Sequence, residues 1–221
     1  FVFLDQMAVR SFLSLTVTTI RKYIMLKIIV LLSSFIFPVM VSADLPVLFK
    51  PPVSGAPATQ MGGGTRGIKN ASVNMELLAP EQVALTAQAS PNLYWYISAL
   101  PHHNIEFSLS LEDTGETIFE QTLPAVTKEG IQSIQLSTLN VQLKEGEQYR
   151  WSIALIVDPN QRVNDVIASA TFRREGTAIP LNDVAKLAQA GYWYDTVQYL
   201  AEQKPTQMTD FLKQQGITLG K

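Results

Sequence analysis

Residues able to hold a metal or transfer a proton are sparse in this sequence. Its 221 residues include no cysteine and two histidines, which are adjacent at His102 and His103. Neighbouring side chains on a strand point to opposite faces, so the pair cannot chelate one metal from a strand. In a loop the two could do so, but no third ligand follows at a useful spacing. We therefore interpret the pair as a solvated turn and predict neither a metal nor a cofactor.

Motifs of known catalytic machinery are also missing from the sequence. It contains no G-x-S-x-G elbow, no H-E-x-x-H zinc motif and no D-x-D-x-D-G calcium loop. The glycine-rich residues 62–67 are not followed by the Lys-Ser/Thr pair of a phosphate-binding loop. We therefore predict that the protein is not an enzyme. The alternative is a hydrolytic enzyme with a dispersed site, for which His102, Asp113 and Asp165 are the candidates.

The first 43 residues have the pattern of an export signal rather than of a folded domain. A short basic start at residues 25–27 precedes an apolar run, and Val41 and Ala43 are the small residues that a signal peptidase accepts. The apolar stretch of residues 28–41 is shorter than the roughly 18–20 residues that span a bilayer. We predict a signal peptide over residues 25–43, with residues 1–24 as an upstream extension or leader. An uncleaved anchor is the alternative.

Charge limits the partners of the mature chain. Cleavage before Asp44 removes four of 17 basic and one of 19 acidic residues, which leaves 13 basic and 18 acidic residues. The one adjacent basic pair that remains is Arg173 and Arg174. Phosphate neutralisation by basic clusters is thus disfavoured, and we predict no nucleic-acid partner and no stable membrane span after cleavage.

The middle of the chain alternates with the period of β-strands. Residues 106–112 and 149–157 alternate between apolar and polar side chains, which indicates strands with one buried face. Turn residues separate these runs, among them Asp158, whose side chain we expect to close the turn before Arg162 and Asp165. We predict a mainly β fold, an immunoglobulin-like antiparallel β-sandwich over residues 71–175. A core of bulky side chains is expected to include Trp95, Phe107, Leu109, Leu111, Trp151, Ile153, Leu155 and Phe172.

Two other segments flank the predicted sandwich. Residues 44–70 are rich in proline and glycine, which predicts a linker. From Pro180 the apolar residues follow helical spacing, and Gly191 and Pro205 divide the pattern into short elements. We predict a short C-terminal helical hairpin over residues 176–221, half-tetratricopeptide-like, with a third short helix near Phe211. A lone unit of that kind does not bury its own face, so the hairpin is expected to cap the sandwich.

The C-terminal segment of residues 176–221, called the tail below, also supplies the candidate partner-binding residues. Helical spacing places one apolar face on Trp193, Val197, Leu200 and Ala201, and this face is expected to be buried. Tyr192 and Tyr199 lie on a second stripe. These two tyrosines either pack on the edge of the sandwich, which is the favoured alternative, or stay open for a partner.

Three sets of residues together resemble a known family. They are Gly63-Gly64-Thr65-Arg66-Gly67, then Asp158-Pro159 with Arg162 and Asp165-Val166, then Ala190-Gly191 with Trp193-Tyr194-Asp195. In this order and spacing they are similar to domain-of-unknown-function family 928 (DUF 928), whose members are secreted or envelope proteins found chiefly in cyanobacteria. The resemblance covers about residues 62–217. It implies no activity, ligand or catalytic residue.

Taken together, these patterns predict an exported protein of the periplasm or the extracellular space. Its expected role is that of a non-enzymatic binding or scaffold module for a protein or glycan of the cell envelope. A purely structural spacer is a further alternative.

Overall fold

The computed structural model describes residues 21–22, 46–52 and 73–219 of the chain. The chain divides into two compact units, Phe1–Leu45 and Pro46–Lys221. The predicted signal peptide and most of the predicted linker lie outside the described residues. In the described part, no helix is long and apolar enough to cross a membrane.

The described part of the second unit contains two β-sheets, with three helices after the last strand. One sheet has five strands in the order β2-β8-β7-β4-β5, and the other has three in the order β1-β3-β6. The strands are β1 Met75–Leu77, β2 Ala84–Thr86, β3 Asn92–Ile97, β4 Asn104–Leu111, β5 Thr117–Thr122, β6 Gly130–Gln135, β7 Gln148–Ile156 and β8 Val166–Arg174. The helices are α1 Val184–Gln189, α2 Trp193–Gln203 and α3 Pro205–Gln214.

One apolar core joins the two sheets and the helices. The alternating runs in the sequence form β4 and β7, and their odd-numbered residues are buried, as the period predicts. Among the expected core residues, Leu111 alone is half-buried, because it ends β4 beside the turn to β5. The other seven are 0–2% exposed: Trp95, Phe107, Leu109, Trp151, Ile153, Leu155 and Phe172.

The turns between the strands follow from their glycines and Asx residues. Gly115 and Gly146 adopt φ values of 71° and 84°, in the left-handed region that glycine enters without steric cost. The side chain of Asp158 accepts a hydrogen bond of 2.8 Å from the backbone N–H of Asn160, which confirms the predicted turn.

One strand pair departs from the predicted antiparallel arrangement. Five of the six pairs are antiparallel, but β2 runs parallel to β8, with Ala84 opposite Phe172. The chain leaves β1 in one sheet and enters the other sheet as β2, so β2 arrives on the outer edge of β8 in the same direction. The three residues of β2 are all buried, as is typical of a parallel strand, so this short segment has no alternation that could indicate its direction.

The tail forms three short helices, as the interruptions at Gly191 and Pro205 predicted. Trp193, Val197 and Leu200 are buried on the inner face of α2, and Ala201 is half-buried. Proline begins α3, where its missing N–H breaks no helical hydrogen bond. The helices therefore complete the core instead of projecting from it.

Part of the predicted linker belongs to this core. Val47 and Phe49 are buried, and the ring of Phe49 meets that of Trp193 edge-on at 4.9 Å between centroids. The N–H of Lys50 donates to the carbonyl of Ala188 at 3.0 Å. Residues 46–52 thus pack on the helices, because two of the three apolar side chains between Pro46 and Pro51 are buried there.

Candidate functional site

A pocket of about 480 Å³ lies between the edge strands β5 and β6. Its volume is in the range of small-molecule and peptide side-chain sites, which is about 300–1,000 Å³. The connection between β5 and β6 forms one wall, and Trp95 of β3 contributes to the pocket from the core side. The apolar part of the lining comprises Trp95, Leu123, Pro124, Ala125, Val126, Ile134 and Leu139.

The polar part of the lining is uncharged. It consists of amide and hydroxyl side chains, namely Gln121, Thr127, Gln132, Ser133, Gln135 and Thr138. No lysine, arginine, aspartate, glutamate or histidine is among the lining residues. A charged ligand placed here would lose hydration without gaining an opposite charge, so the pocket suits a neutral ligand.

Trp95 differs from the other two tryptophans in its hydrogen bonding. The indole N–H of Trp151 donates to the hydroxyl of Tyr194 at 3.1 Å, and that of Trp193 donates to the carbonyl of Leu78 at 2.8 Å. The Nε1–H of Trp95 is buried and has no acceptor among the described residues. A buried N–H without an acceptor is uncommon and costs about 1–3 kcal/mol. Trp95 is therefore a lining residue whose buried donor has no hydrogen-bond partner in the described part of the chain.

The tyrosines named from the sequence lie elsewhere. Tyr192 is 6% exposed, packs with Leu85 and Leu187, and donates its hydroxyl to the carbonyl of Gly176 at 3.0 Å. Tyr199 is half-buried against the main core. Both rings take part in packing, and a role of either tyrosine in binding a partner stays a prediction.

The three residues considered for a dispersed hydrolytic site do not converge on one point. His102 and Asp113 are exposed in the turns before and after β4, so the length of that strand separates them by about 25 Å. Asp165 lies near the end of β4 where His102 is, and its carboxylate pairs with Arg162 and accepts from the N–H of Val157 at 3.3 Å. In the described part of the chain, no group of three His, Cys, Asp or Glu side chains is placed to hold a metal.

One buried carboxylate was missed in the sequence. Asp195 of α2 is 3% exposed, and it accepts hydrogen bonds from the N–H of Ala87 at 2.9 Å and from the side chain of Gln88 at 3.1 Å. Burial raises the pKa of Asp195 above its ordinary value, and these hydrogen bonds oppose the rise. The carboxylate faces the end of β2 rather than the pocket, so it ties α2 to the sheet.

The motifs that carry the family resemblance have structural roles in this chain. The carbonyl of Gly191 accepts a hydrogen bond from the N–H of Leu85 at 2.9 Å. The side chains of Trp193, Tyr194 and Asp195 each form a hydrogen bond with a strand or with the residues that follow a strand. Residues 63–67 lie outside the described part. The described motif residues therefore attach the tail to the sheets or form the turn at Asp158, and none of them lines the pocket.

No motif in the sequence predicts the pocket. Its polar side chains come from β5, from β6 and from the segments that follow these strands. Glutamine and threonine on strands are common and indicate exposure, and nothing in their spacing shows that two edges meet. The charge-free sequence of residues 130–139 is the single clue that could have been used.

Comparison with known proteins identifies the family. A search of the curated proteins found no significant match. A family model described as Domain of Unknown Function (DUF928) matches residues 61–218, which is most of the chain and includes both sheets and the three helices. The chain therefore belongs to the DUF928 family.

Proposed function

We propose that this protein is an exported, non-enzymatic module of the cell envelope, which binds a protein or glycan partner in the pocket between β5 and β6. The observation that carries the proposal is the uncharged pocket with the buried Trp95 N–H, which has no acceptor among residues 46–52 and 73–219. Binding needs a neutral, partly apolar ligand here and no chemical step.

Export is supported by the pattern of residues 25–43, with a basic start, an apolar run and small residues before Asp44. A periplasmic or extracellular location follows from such a signal. The lack of cysteine in the whole sequence is compatible with it, because the core is large enough to stabilise the fold without disulfides.

The finer features of the fold belong to the same proposal. We infer that the two sheets form an immunoglobulin-like sandwich, supported by their shared core and the five antiparallel pairs. The contact between α1 and α2, joined at Gly191, supports a half-tetratricopeptide character of the tail.

The alternatives are weaker on geometric grounds. A hydrolytic enzyme needs titratable groups that converge on one point, and His102 and Asp113 lie at opposite ends of β4. A structural spacer needs no pocket and gives no reason for a buried indole N–H without an acceptor.

The test is capture of a partner from a native envelope extract by the mature chain and two matched variants. Gln121→Lys puts a charge on the pocket wall, whereas Thr122→Lys makes the same change on the other face of β5. We expect the same partner to be retained by wild type and Thr122→Lys and lost by Gln121→Lys. A spacer predicts no selective capture, and equal capture by all three chains would refute the pocket as the binding site.

A further inference from the structure

The edge strand β6 lacks the features that normally protect the edge of a sheet. It pairs with β3 through six residues in unbroken register, and its other side has no strand partner in the described part of the chain. Its sequence, Gly-Ile-Gln-Ser-Ile-Gln, has no charge and no proline, and Ile131 is 41% exposed. Natural edges usually carry a charge, a proline or a bulge, because an unprotected edge pairs with other chains.

The edge strand β5 of the other sheet is better protected. The pairing of β5 with β4 shifts register between Leu109 and Ser110, and β5 carries the charged Glu120. Of the two edge strands beside the pocket, β6 is therefore the one that is open to an added strand. The pocket lies directly beside this edge, since Gln132, Ser133 and Ile134 line it.

The chemistry of the pocket narrows the segment that fits. Without a charged lining residue, the pocket selects an uncharged side chain. The Nε1–H of Trp95 needs a neutral oxygen as acceptor. A sugar would need an aromatic face to stack on, and Trp95 is 2% exposed, so its face is covered.

We propose that β6 accepts an extended, uncharged peptide segment of a partner protein as an added strand. One inward side chain of that segment, a serine, threonine, asparagine or glutamine, enters the pocket and accepts the hydrogen bond of Trp95. Because the indole nitrogen is shielded, the side chains over it shift slightly when the segment binds. Main-chain hydrogen bonds to β6 supply affinity, and the pocket supplies specificity. This inference rests on the proposed binding function and names the chemistry of its partner.

The test uses the whole mature chain, labelled with ¹⁵N, and the capped peptide acetyl-Thr-Val-Thr-Val-Thr-Val-amide. Three indole N–H signals are expected from the three tryptophans, and Trp95→Phe assigns the one from Trp95. We expect saturable shifts of that signal and of the β6 amides, with the indole signals of Trp151 and Trp193 unmoved. A peptide with alanine in place of threonine should shift the β6 amides but not the Trp95 signal.

Lysine substitutions, each with a matched control elsewhere on the protein, locate the binding site. Gln121→Lys should weaken peptide binding at least tenfold, Thr122→Lys should leave it within twofold, and Ile131→Lys should weaken it by charging the edge. Ile167→Lys is the control for Ile131→Lys, because Ile167 is 43% exposed on an internal strand. Circular dichroism confirms that each variant is folded.

Each outcome decides between the proposals. Strand addition is sequence-tolerant, so absence of a saturable shift with the threonine peptide overturns the inference. A response to methyl glucoside in place of the peptide overturns it as well and points to a glycan. Selective capture from envelope extract without a peptide response rejects the inference alone. A peptide response without selective capture rejects the proposed function alone.

Discussion

Trp151 of β7 and Tyr194 of α2 are joined by a buried hydrogen bond, in which the indole N–H donates to the tyrosine hydroxyl at 3.1 Å. Both side chains are almost fully buried, and the ring of Tyr194 also lies 4.9 Å from that of Phe172 between centroids. Burial raises the pKa of Tyr194, so its hydroxyl stays neutral over the accessible pH range. The bond fixes the tail to the five-stranded sheet.

Tyr194→Phe removes the acceptor of this bond and keeps the ring. The Trp151 N–H is then buried without a partner, and we expect the free energy of unfolding to fall by about 1–3 kcal/mol. Urea unfolding followed by tryptophan fluorescence measures the change. Tyr199→Phe, at a half-buried ring of the same helix, should change stability by much less. Equal losses in the two variants would contradict the structural role of the bond.

Asp195 predicts a distinctive pH dependence. Its folded-state pKa lies above the unfolded value of about 3.9, so its proton is bound more tightly in the folded chain. That contribution to stability is full below the unfolded pKa and is lost as pH rises through the folded pKa. We therefore expect the wild type to lose stability relative to Asp195→Asn as pH rises above about 4.

Asp183 is the control with the opposite sign. A hydrogen bond from Lys186 lowers the pKa of Asp183, so its contribution is present at higher pH and is lost as pH falls. The difference between wild type and Asp183→Asn should therefore change with pH in the opposite direction. Guanidine unfolding at a series of pH values gives both slopes, and a flat difference for Asp195→Asn would be inconsistent with a raised pKa.

Gly191 tests the packing of residues 46–52 on the tail. Its φ is 89°, and a Cβ atom there would lie 2.9 Å from Cδ of Pro52. Gly115 has a φ of 71° with nothing within 4 Å of an added Cβ. Gly115→Ala should cost about 1–2 kcal/mol for backbone conformation alone, and Gly191→Ala should cost more. Thermal unfolding of both variants measures this difference, and equal costs would mean that Pro52 is not held there.

A substitution at Leu109 tests whether the face of β4 that the strand period predicts to be buried forms the core. It is fully buried between the strands, whereas Leu100 is 49% exposed in the connection before β4. Leu109→Ala should lower the free energy of unfolding by about 2–5 kcal/mol, and Leu100→Ala should change it by about 0.5 kcal/mol or less. Chemical denaturation distinguishes these values. A small loss at Leu109 would place the core on the other face of β4.

Export predicts a defined N-terminus. The mature protein should begin at Asp44, because Val41 and Ala43 are the small residues before the cleavage site. Mass spectrometry of the N-terminal peptide from an envelope fraction measures this directly. Ala43→Arg should block processing, while Ser42→Arg, between the two recognised positions, should be tolerated better. A product that retains Met25 would reject the predicted cleavage.

Much of the fold could be predicted from the spacing of residue types over short stretches of the sequence. The alternating residues of β4 and β7, the turn glycines and the helical spacing after Pro180 each express a constraint within a few residues of the chain. Such constraints are visible in a sequence, because burial of one face repeats with the period of the backbone. The core residues and the three helices were predictable for that reason, and the family resemblance rested on motifs of the same local kind.

Tertiary structure alone decided which distant residues meet. Three contacts join segments that are 88 or more residues apart in the sequence. They are the parallel pairing of β2 with β8, the hydrogen bond between Asp195 and Ala87, and the packing of Phe49 on Trp193. The pocket likewise exists because the edges of two sheets approach each other beside Trp95. The periodicity of one strand does not show which other strands lie beside it. The Trp95 N–H looks like any core donor in the sequence, and only the packing of the described residues shows that it has no acceptor among them.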